Sequence, residues 1–276
     1  MKNAAVVFMV AGLSSRFGGK IKQFTRVGPE GETLIEFSMK QALKAGFGKI
    51  VFIVGEKTEA PFKEMFGNSY KGIPIEYARQ VFDSEKRDKP WGSVDALASA
   101  KALINENFTV LNGDDIYGEK ALKTAAQALK KLKANEGIAI GYKLGKVLPE
   151  TGLANRGIFE FGKENEVIEI KEVIGVGKEN LESLGLNERM QCSMNLFCLT
   201  PETLKILEEE IMEFKKENAN DRRIECVLSV ELAGLIKKGK LRMRLLKTED
   251  KWFGVTNPED EEKVKQQLRE FKDSNS

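Results

Sequence analysis

The feature that most constrains this chain is an unbroken apolar run over residues 4–10 that passes directly into a turn rich in small residues and cations. Continuous hydrophobic runs of this kind are typical of parallel strands buried on both faces. In the turn, glycine lets backbone amides approach an anion, and Arg16, Lys20 and Lys22 can neutralise it. The stretch therefore predicts a strand whose carboxyl end delivers a phosphate-binding loop. Its spacing fits neither a dinucleotide fingerprint nor a Walker loop, and a plain surface turn is the alternative.

The composition excludes several kinds of chemistry. The chain of 276 residues has no histidine, which removes Ser-His-Asp and Cys-His nucleophiles and His-ligated zinc. With 44 Lys+Arg against 42 Asp+Glu, the net charge is +2. This balance gives no overall basic field, so we expect no nucleic-acid partner. Cys192, Cys198 and Cys226 lack metal or disulfide spacing and are predicted to be core residues.

The targeting signals predict a cytoplasmic protein. The apolar run of residues 4–10 is too short to span a bilayer, and no cleavage pattern follows it. We therefore expect a cytoplasmic location and no membrane contact.

Hydrophobic periodicity predicts an α/β fold. Strand patterns occupy residues 49–55, 73–78 and 108–111, and helical patterns occupy 33–45, 58–66, 92–103 and 119–134, with a further strand at 137–142. This alternation favours a doubly wound sheet. Residues 80–91 contain Pro90 and are expected to form an exposed loop. Shorter β segments at 157–161, 167–172 and 191–199 predict an antiparallel lobe, and helices at 201–217, 225–237 and 258–271 with a strand at 241–246 complete the pattern.

Two loops are predicted to form one site. In doubly wound sheets the first and fourth strands are commonly neighbours, and ligands bind beyond their carboxyl ends. The first strand supplies Arg16 and Lys22, and the fourth supplies Asp114 and Asp115. Cations beside paired carboxylates suit a nucleoside triphosphate with Mg²⁺, which takes one or two carboxylates together with phosphate oxygens and water. A phosphate monoester nucleophile has a second pKa of about 6 and needs no imidazole base.

Three motifs at these positions resemble the sugar-1-phosphate nucleotidyltransferases. The loop at residues 11–19 with Lys22 and Gln23 is similar to the signature loop of the family, Asn112-Gly113-Asp114-Asp115 to its metal-binding motif, and Pro90-Trp91-Gly92-Ser93 to its base-recognition turn. The similarity extends to Gly157-Ile158, Ser193-Met194-Asn195 and residues 248–256. It implies a Rossmann-like mixed sheet with a smaller β-rich sugar-binding lobe. It also implies one domain over 1–276, with a nucleotide-binding half at 1–142 and the lobe and C-terminal helices at 143–276.

The resemblance implies an enzyme of nucleotide-sugar biosynthesis that joins a nucleoside triphosphate and a sugar-1-phosphate and releases pyrophosphate. Arg16, Lys22 and Asp114 would be catalytic, with Asp114 binding Mg²⁺ as the cofactor. The implied nucleotide-binding residues are Ala11, Gly12, Leu13, Ser14, Ser15, Arg16, Lys22, Gln80, Gly92, Ser93 and Asp114. The implied sugar-phosphate-binding residues are Asp115, Gly157, Glu172, Asn195 and Trp252. For Gln80, an ordinary exposed loop glutamine is the alternative.

The sequence departs from the family pattern at two positions. Members such as glucose-1-phosphate thymidylyltransferase place a second metal-binding aspartate two residues after the late tryptophan, where this chain has Gly254. They also follow a glutamate with a lysine that holds the sugar phosphate, whereas Val173 follows Glu172. Lys171 is not expected to substitute, since a one-residue shift reverses the strand face. We predict that Asp250 does not replace the lost aspartate, and an exposed turn residue is its simpler interpretation.

Other functions remain compatible with the sequence. A glycosyltransferase that uses a nucleotide-sugar could share the fold and the aspartate pair, although it has little need for Arg16 and Lys22. A cytidylyltransferase for a non-sugar alcohol phosphate is chemically closer. Gly254 and Val173 also suggest a nucleotide-binding regulatory protein without strong activity. The base, the sugar and the oligomeric state stay open, with a homodimer among the alternatives.

Overall fold

A computed structural model describes residues 4–12, 21–254 and 260–273 of the chain. The strands are β1 Ala5–Met9, β2 Lys49–Val54, β3 Ser69–Tyr70, β4 Ile73–Arg79, β5 Phe108–Asn112, β6 Asp115–Ile116, β7 Glu136–Lys143, β8 Ala154–Phe161, β9 Val167–Val176, β10 Gln191–Leu199, β11 Arg242–Lys247 and β12 Phe253–Gly254. The α-helices are α1 Leu34–Ala45, α2 Glu56–Phe66, α3 Ser93–Ser99, α4 Glu119–Leu129, α5 Pro201–Glu217, α6 Leu228–Lys237 and α7 Asp260–Asp273.

One mixed sheet organises these elements in the order β11-β7-β10-β5-β1-β2-β4-β3. Strands β5, β1, β2 and β4 run parallel, and β10 lies antiparallel between β5 and β7. The hairpin β8–β9 branches from β10, while β6 and β12 form a separate two-stranded ribbon. The predicted α/β fold with a doubly wound mixed sheet is confirmed.

Helices cover both faces of the sheet because its central strands are apolar on both sides. Val6 and Phe8 of β1 pack with α1, α2 and α4, whereas Ala5 and Val7 pack with α3, α5 and α6. A third small core joins α7 to the β6–β12 ribbon. Thr33 caps α1 in a capping box with Glu36. The two-sided burial explains why β1 reads as a continuous hydrophobic run.

Three predicted boundaries are wrong for identifiable reasons. Helix α4 ends at Leu129 rather than near residue 134, where the Asn107 side chain donates to the carbonyls of Leu129 and Leu132. Helix α6 begins at Leu228 rather than 225, because the backbone of Cys226 is paired with Trp91 and Val94. The helix predicted over 92–103 breaks after α3 into a short 3₁₀ turn.

The three cysteines are free and buried, as predicted for core residues. Within the described ranges, no helix combines the length and the apolar character needed to cross a membrane.

Candidate functional site

The carboxyl ends of β1 and β5 meet at one point of the sheet. The two strands are paired in parallel with Met9 opposite Asn112, so the predicted neighbourhood of the first and fourth strands of the parallel set is confirmed. A Cβ atom at Gly113 would lie 2.2 Å from Cγ1 of Val10, which is why glycine is needed at this close approach. Ala11 and Gly12 lead away from β1 at this edge. The predicted residues Leu13, Ser14, Ser15 and Arg16 lie outside the described residues.

The structure brings Lys22 and Asp114 into direct contact. Lys22 Nζ donates to Asp114 Oδ2 at 2.8 Å, across 92 residues of sequence. A 3₁₀ turn at Lys22–Phe24 holds the lysine, whose side chain is 11% exposed, while the Asp114 side chain is 35% exposed. The two loops thus place a shielded cation against a carboxylate that is still accessible from the crevice.

Asp115 is buried behind Asp114 and braces the loop. Its Oδ2 accepts from Asn112 Nδ2 at 2.9 Å, and its backbone carbonyl accepts from Ser38 Oγ at 2.9 Å. The Tyr117 hydroxyl lies 3.3 Å from the same Oδ2 and donates to the carbonyl of Met194 at 2.7 Å. Burial, and then the charge of Asp114, raise the pKa of Asp115 to about 7. These contacts connect β5 to β10 underneath the site.

Gln80 is a fixed, buried side chain and not an exposed loop glutamine, so that alternative is wrong. Its Nε2 donates to Asp95 Oδ2 at 2.8 Å and to the carbonyl of Gly92 at 3.1 Å. Both partners are pure acceptors, which fixes the amide orientation and leaves Oε1 for a ligand. Lys215 contacts the other oxygen of Asp95.

Gly92 and Ser93 are both engaged by the extended segment around Cys226. Gly92 has φ +100°, and a Cβ atom there would lie 2.5 Å from the carbonyl oxygen of Cys226. Ser93 Oγ accepts from the backbone N–H of Leu228 at 2.8 Å. Packing alone therefore explains the glycine, and any contact of this turn with a base uses the backbone on its other side.

Arg87 makes the predicted exposed loop over residues 80–91 partly buried, so that prediction is wrong. Its guanidinium stacks 3.4 Å from the centroid of the Trp91 ring and donates to the carbonyls of Asp221 and Ile224 at 2.6 Å each. It is 3% exposed. Polar composition suggested solvent, whereas the guanidinium ties this loop to a distant segment.

The lobe presents Gly157, Glu172 and Asn195 near the sheet. Gly157 is paired with Glu172 across β8–β9, and a Cβ at Gly157 would lie 3.5 Å from Glu172 Oε2 and from Ser193 Cβ. Burial raises the pKa of Glu172. Asn195 has φ +60° within a register shift of β10, and its N–H donates to Ser193 Oγ at 3.1 Å. Asparagine tolerates this left-handed backbone better than most residues.

Trp252 lies over the position of the missing aspartate. A Cβ at Gly254 would be 2.4 Å from Cη2 of the Trp252 indole and 3.1 Å from Asp115 Oδ1. Gly254 is paired with Asp115 between β12 and β6. The ring therefore fills the space that a side chain at 254 would need. The indole Nε1 is buried and has no hydrogen-bond partner among the described residues.

Asp250 is not an exposed turn residue, and that interpretation is wrong. It is buried, and its Oδ2 accepts from the N–H of Ala121 at 2.9 Å in the first turn of α4. A Cβ at Gly118 would lie 2.4 Å from the same oxygen. The carboxylate is thus committed to the helix, which agrees with the prediction that it does not bind the metal.

Lys171 and Val173 share a face of β9, so the strand-face reason for dismissing Lys171 is wrong. Both line a cavity of about 580 Å³ that also contacts Arg189 and Lys247. Residues two apart in a strand point the same way, so the reversal applies between Lys171 and Glu172 only. Lys171 is opposite Ile158 and Val173 is opposite Arg156 in the β8–β9 register.

The donor set near Asp114 fits Mg²⁺ only together with phosphates. Among the described residues, no group of three or more potential metal ligands occurs. Mg²⁺ commonly uses one or two carboxylates and completes its shell with substrate phosphates and water. Asp114, partly exposed at the crevice, meets that requirement, and Asp115 Oδ1 faces the same ribbon.

Sequence reasoning missed Arg156, which stands immediately before Gly157 and has its guanidinium carbon 5.7 Å from the centroid of the Trp252 ring. It also missed the Asp95–Lys215 pair and Tyr117. Only the position of Arg156 beside a motif glycine could have drawn attention to it, because the other contacts join residues far apart in sequence.

Comparisons with known proteins agree with this geometry. A family model described as nucleotidyl transferase matches residues 19–223. No curated protein matches the sequence. A UDP-glucose pyrophosphorylase complexed with UDP-glucose has a similar structure, with a TM-score of 0.67, 18% identity, and coverage of 98% of this chain and 99% of that chain.

Two further solved structures share the fold. A Bacillus anthracis protein assigned as a glucose-1-phosphate thymidylyltransferase, in complex with sucrose, has a TM-score of 0.69 and 14% identity, covering 96% of this chain and 95% of its own. The inositol-1-phosphate CTP transferase from T. maritima has a TM-score of 0.66 and 15% identity, covering 97% of this chain and 96% of its own.

Proposed function

The chain belongs to the nucleotidyl transferase family, and we propose that it joins a nucleoside triphosphate to a sugar-1-phosphate, giving an NDP-sugar and pyrophosphate. The observation that carries this proposal is the contact between Lys22 Nζ and Asp114 Oδ2 at 2.8 Å. It places a cation and a metal-type carboxylate side by side beyond β1 and β5, where doubly wound sheets bind phosphates.

In the proposed reaction, an oxygen of the sugar-1-phosphate forms a bond to the α-phosphorus. The bond from that phosphorus to the oxygen bridging to the β-phosphate breaks, and pyrophosphate leaves with the bonding electron pair. The nucleophile arrives ionised, which agrees with a chain that has no histidine. Catalysis then depends on alignment and on neutralisation of phosphate charge.

The residues of the crevice divide these tasks. Lys22 neutralises phosphate oxygens, with Arg16 proposed as a second cation of the same loop. Asp114 holds Mg²⁺, which supplies charge neutralisation at the phosphates when bound. Asp115 keeps the Asp114 loop in place through Asn112. Gln80 presents Oε1 toward the base while Asp95 fixes its amide.

The lobe is proposed to bind the acceptor. Gly157 leaves space beside Glu172, and Asn195 lies on the irregular part of β10. A carboxylate with a raised pKa beside a backbone without a side chain suits the hydroxyl groups of a sugar. Trp252 supplies an apolar face next to Asp115.

A substrate panel tests this function. The four common nucleoside triphosphates are each incubated with Mg²⁺ and with glucose 1-phosphate, other sugar 1-phosphates or inositol 1-phosphate, and pyrophosphate release is measured. We expect release that depends on both substrates, and its loss in the matched variant Asp114→Asn. Inositol 1-phosphate as the preferred acceptor would favour the non-sugar alternative. Tight nucleotide binding without release from any pair would favour a regulatory protein.

A further inference from the structure

Arg156 is a cation on the lobe for which no ion pair is found among the described residues. Nη1 donates to the carbonyl of Asn155 at 2.9 Å and Nη2 to that of Val147 at 2.7 Å. Nε is shielded from water and has no partner in the described part of the chain. A guanidinium carries five N–H donors and stays charged, so hydrogen-bonding capacity remains unused here.

The guanidinium faces the candidate site. Its carbon lies 5.7 Å from the Trp252 ring centroid, and that indole covers Gly254 beside Asp115. The carboxylates of Asp115 and Glu172 are the ones whose charges act on Arg156, although neither forms an ion pair with it. Arg156 therefore lies between the metal-type loop and the residues proposed to bind the sugar.

Two unpartnered donors in adjacent side chains indicate the chemistry of the missing partner. Arg156 Nε and Trp252 Nε1 are both buried N–H groups to which the described residues offer no acceptor. Buried donors of this kind are unfavourable unless an acceptor reaches them. A ligand rich in acceptor oxygens and carrying negative charge satisfies both, and phosphate is the one that the proposed reaction brings to this place.

We propose that Arg156, assisted by Trp252, binds the phosphate group of the acceptor substrate and aligns it for attack. This inference rests on the proposed function and assigns the acceptor phosphate to a residue of this chain. It also accounts for Val173, because directly opposed strand residues share a face and Arg156 is the cross-strand partner of Val173. The cation is delivered from β8 instead of β9.

The competing explanations are structural and positional. Arg156 could serve only to tether the chain at Val147, in which case its loss lowers stability without changing substrate affinity selectively. Lys171 is the rival cation, since it shares the face of Val173 but is displaced by two residues along β9. The variants below separate these explanations.

Steady-state kinetics with the active substrate pair provide the first test. For Arg156→Gln we expect the KM for the acceptor phosphate to rise about thirty- to a hundredfold, as lost charge-assisted hydrogen bonds predict, with the KM for the nucleotide within about twofold of wild type. Lys171→Gln is the matched control on the same hairpin and should leave both constants unchanged. In the double variant Arg156→Gln/Val173→Lys, a lysine on the same face should recover at least part of the acceptor KM.

Equilibrium dialysis tests the inference without turnover. Glucose 1-phosphate and inorganic phosphate are used as probes, without nucleotide, against wild type, Arg156→Gln and Lys171→Gln. We expect binding to wild type and to Lys171→Gln, and at least about thirtyfold weaker binding to Arg156→Gln. Thermal unfolding of each variant shows whether the fold is kept. If no substrate pair releases pyrophosphate, the proposed function fails, while dialysis still decides this inference.

Three outcomes overturn it. The first is wild-type protein that binds neither probe at millimolar concentration. The second is an unchanged acceptor KM and unchanged probe affinity in Arg156→Gln. The third is loss of probe binding in Lys171→Gln with Arg156→Gln unaffected, which transfers the role to Lys171.

Discussion

Gly92→Ala is expected to be among the most disruptive single-methyl additions in this chain. Gly92 has φ +100° and ψ −169°, a region that is open essentially to glycine alone. An added Cβ would lie 2.5 Å from the carbonyl oxygen and 2.8 Å from the nitrogen of Cys226. That backbone cannot retreat freely, because Cys226 N–H donates to the carbonyl of Trp91 at 2.7 Å and its own carbonyl accepts from the N–H of Val94 at 3.2 Å.

The magnitude follows from two separate contributions. Forcing alanine into this backbone region costs about 1–3 kcal/mol. The contact with Cys226 adds an overpacking cost of about 1–3 kcal/mol, since backbone atoms rather than a flexible side chain must move. We therefore expect a loss of about 2–6 kcal/mol in the free energy of unfolding, summed from these two contributions.

Gly67→Ala is the matched control, because Gly67 has φ +57° and ψ −142° but no neighbouring atom within 4 Å of the position that a Cβ would take. Urea and thermal unfolding of both variants isolate the steric part. With about 2–4 °C per kcal/mol, the steric cost should place the Tm of Gly92→Ala roughly 2–12 °C below that of the control. Equal losses in the two variants would refute the proposed clash. The KM for the nucleotide should rise only in Gly92→Ala, because the carbonyl of Gly92 holds Gln80.

Three further predictions concern the crevice. Lys22→Ala should lower kcat/KM at least about a hundredfold with little change in Tm, and near-wild-type kinetics would contradict the phosphate cradle. Asp114→Asn should weaken the Mg²⁺ dependence and remove most turnover, whereas Asp115→Asn should cost less because Asp115 orients the loop; identical Mg²⁺ titrations for wild type and Asp114→Asn would rule out this assignment. Asp250→Ala should lose about 0.5–2 kcal/mol of stability with its cap on Ala121 while the Mg²⁺ titration stays unchanged, so a weakened Mg²⁺ response would show that Asp250 contributes to the metal site.

Much of the fold could be predicted from local pattern. The apolar run before the first turn predicts β1, and the spacing over residues 33–45 with Gly46 at its end predicts α1. The neighbourhood of β1 and β5 followed from general sheet topology, so the meeting of Lys22 with the Asp114 loop was also predictable. Boundaries failed where a distant backbone intervened, as Cys226 does before α6.

The sequence alone determined the layered architecture, the cationic loop after the first strand and the exclusion of imidazole chemistry, because these depend on periodicity and on residue types. Tertiary structure decided which polar groups are already committed. Asp250 is bound to a helix terminus, Gln80 is held by Asp95, and Trp252 occupies the space above Gly254. Arg156 emerged in the same way, since the lack of an acceptor for its Nε among the described residues is a property of three-dimensional surroundings. Hydrogen bonds and burial join residues that no short sequence window contains.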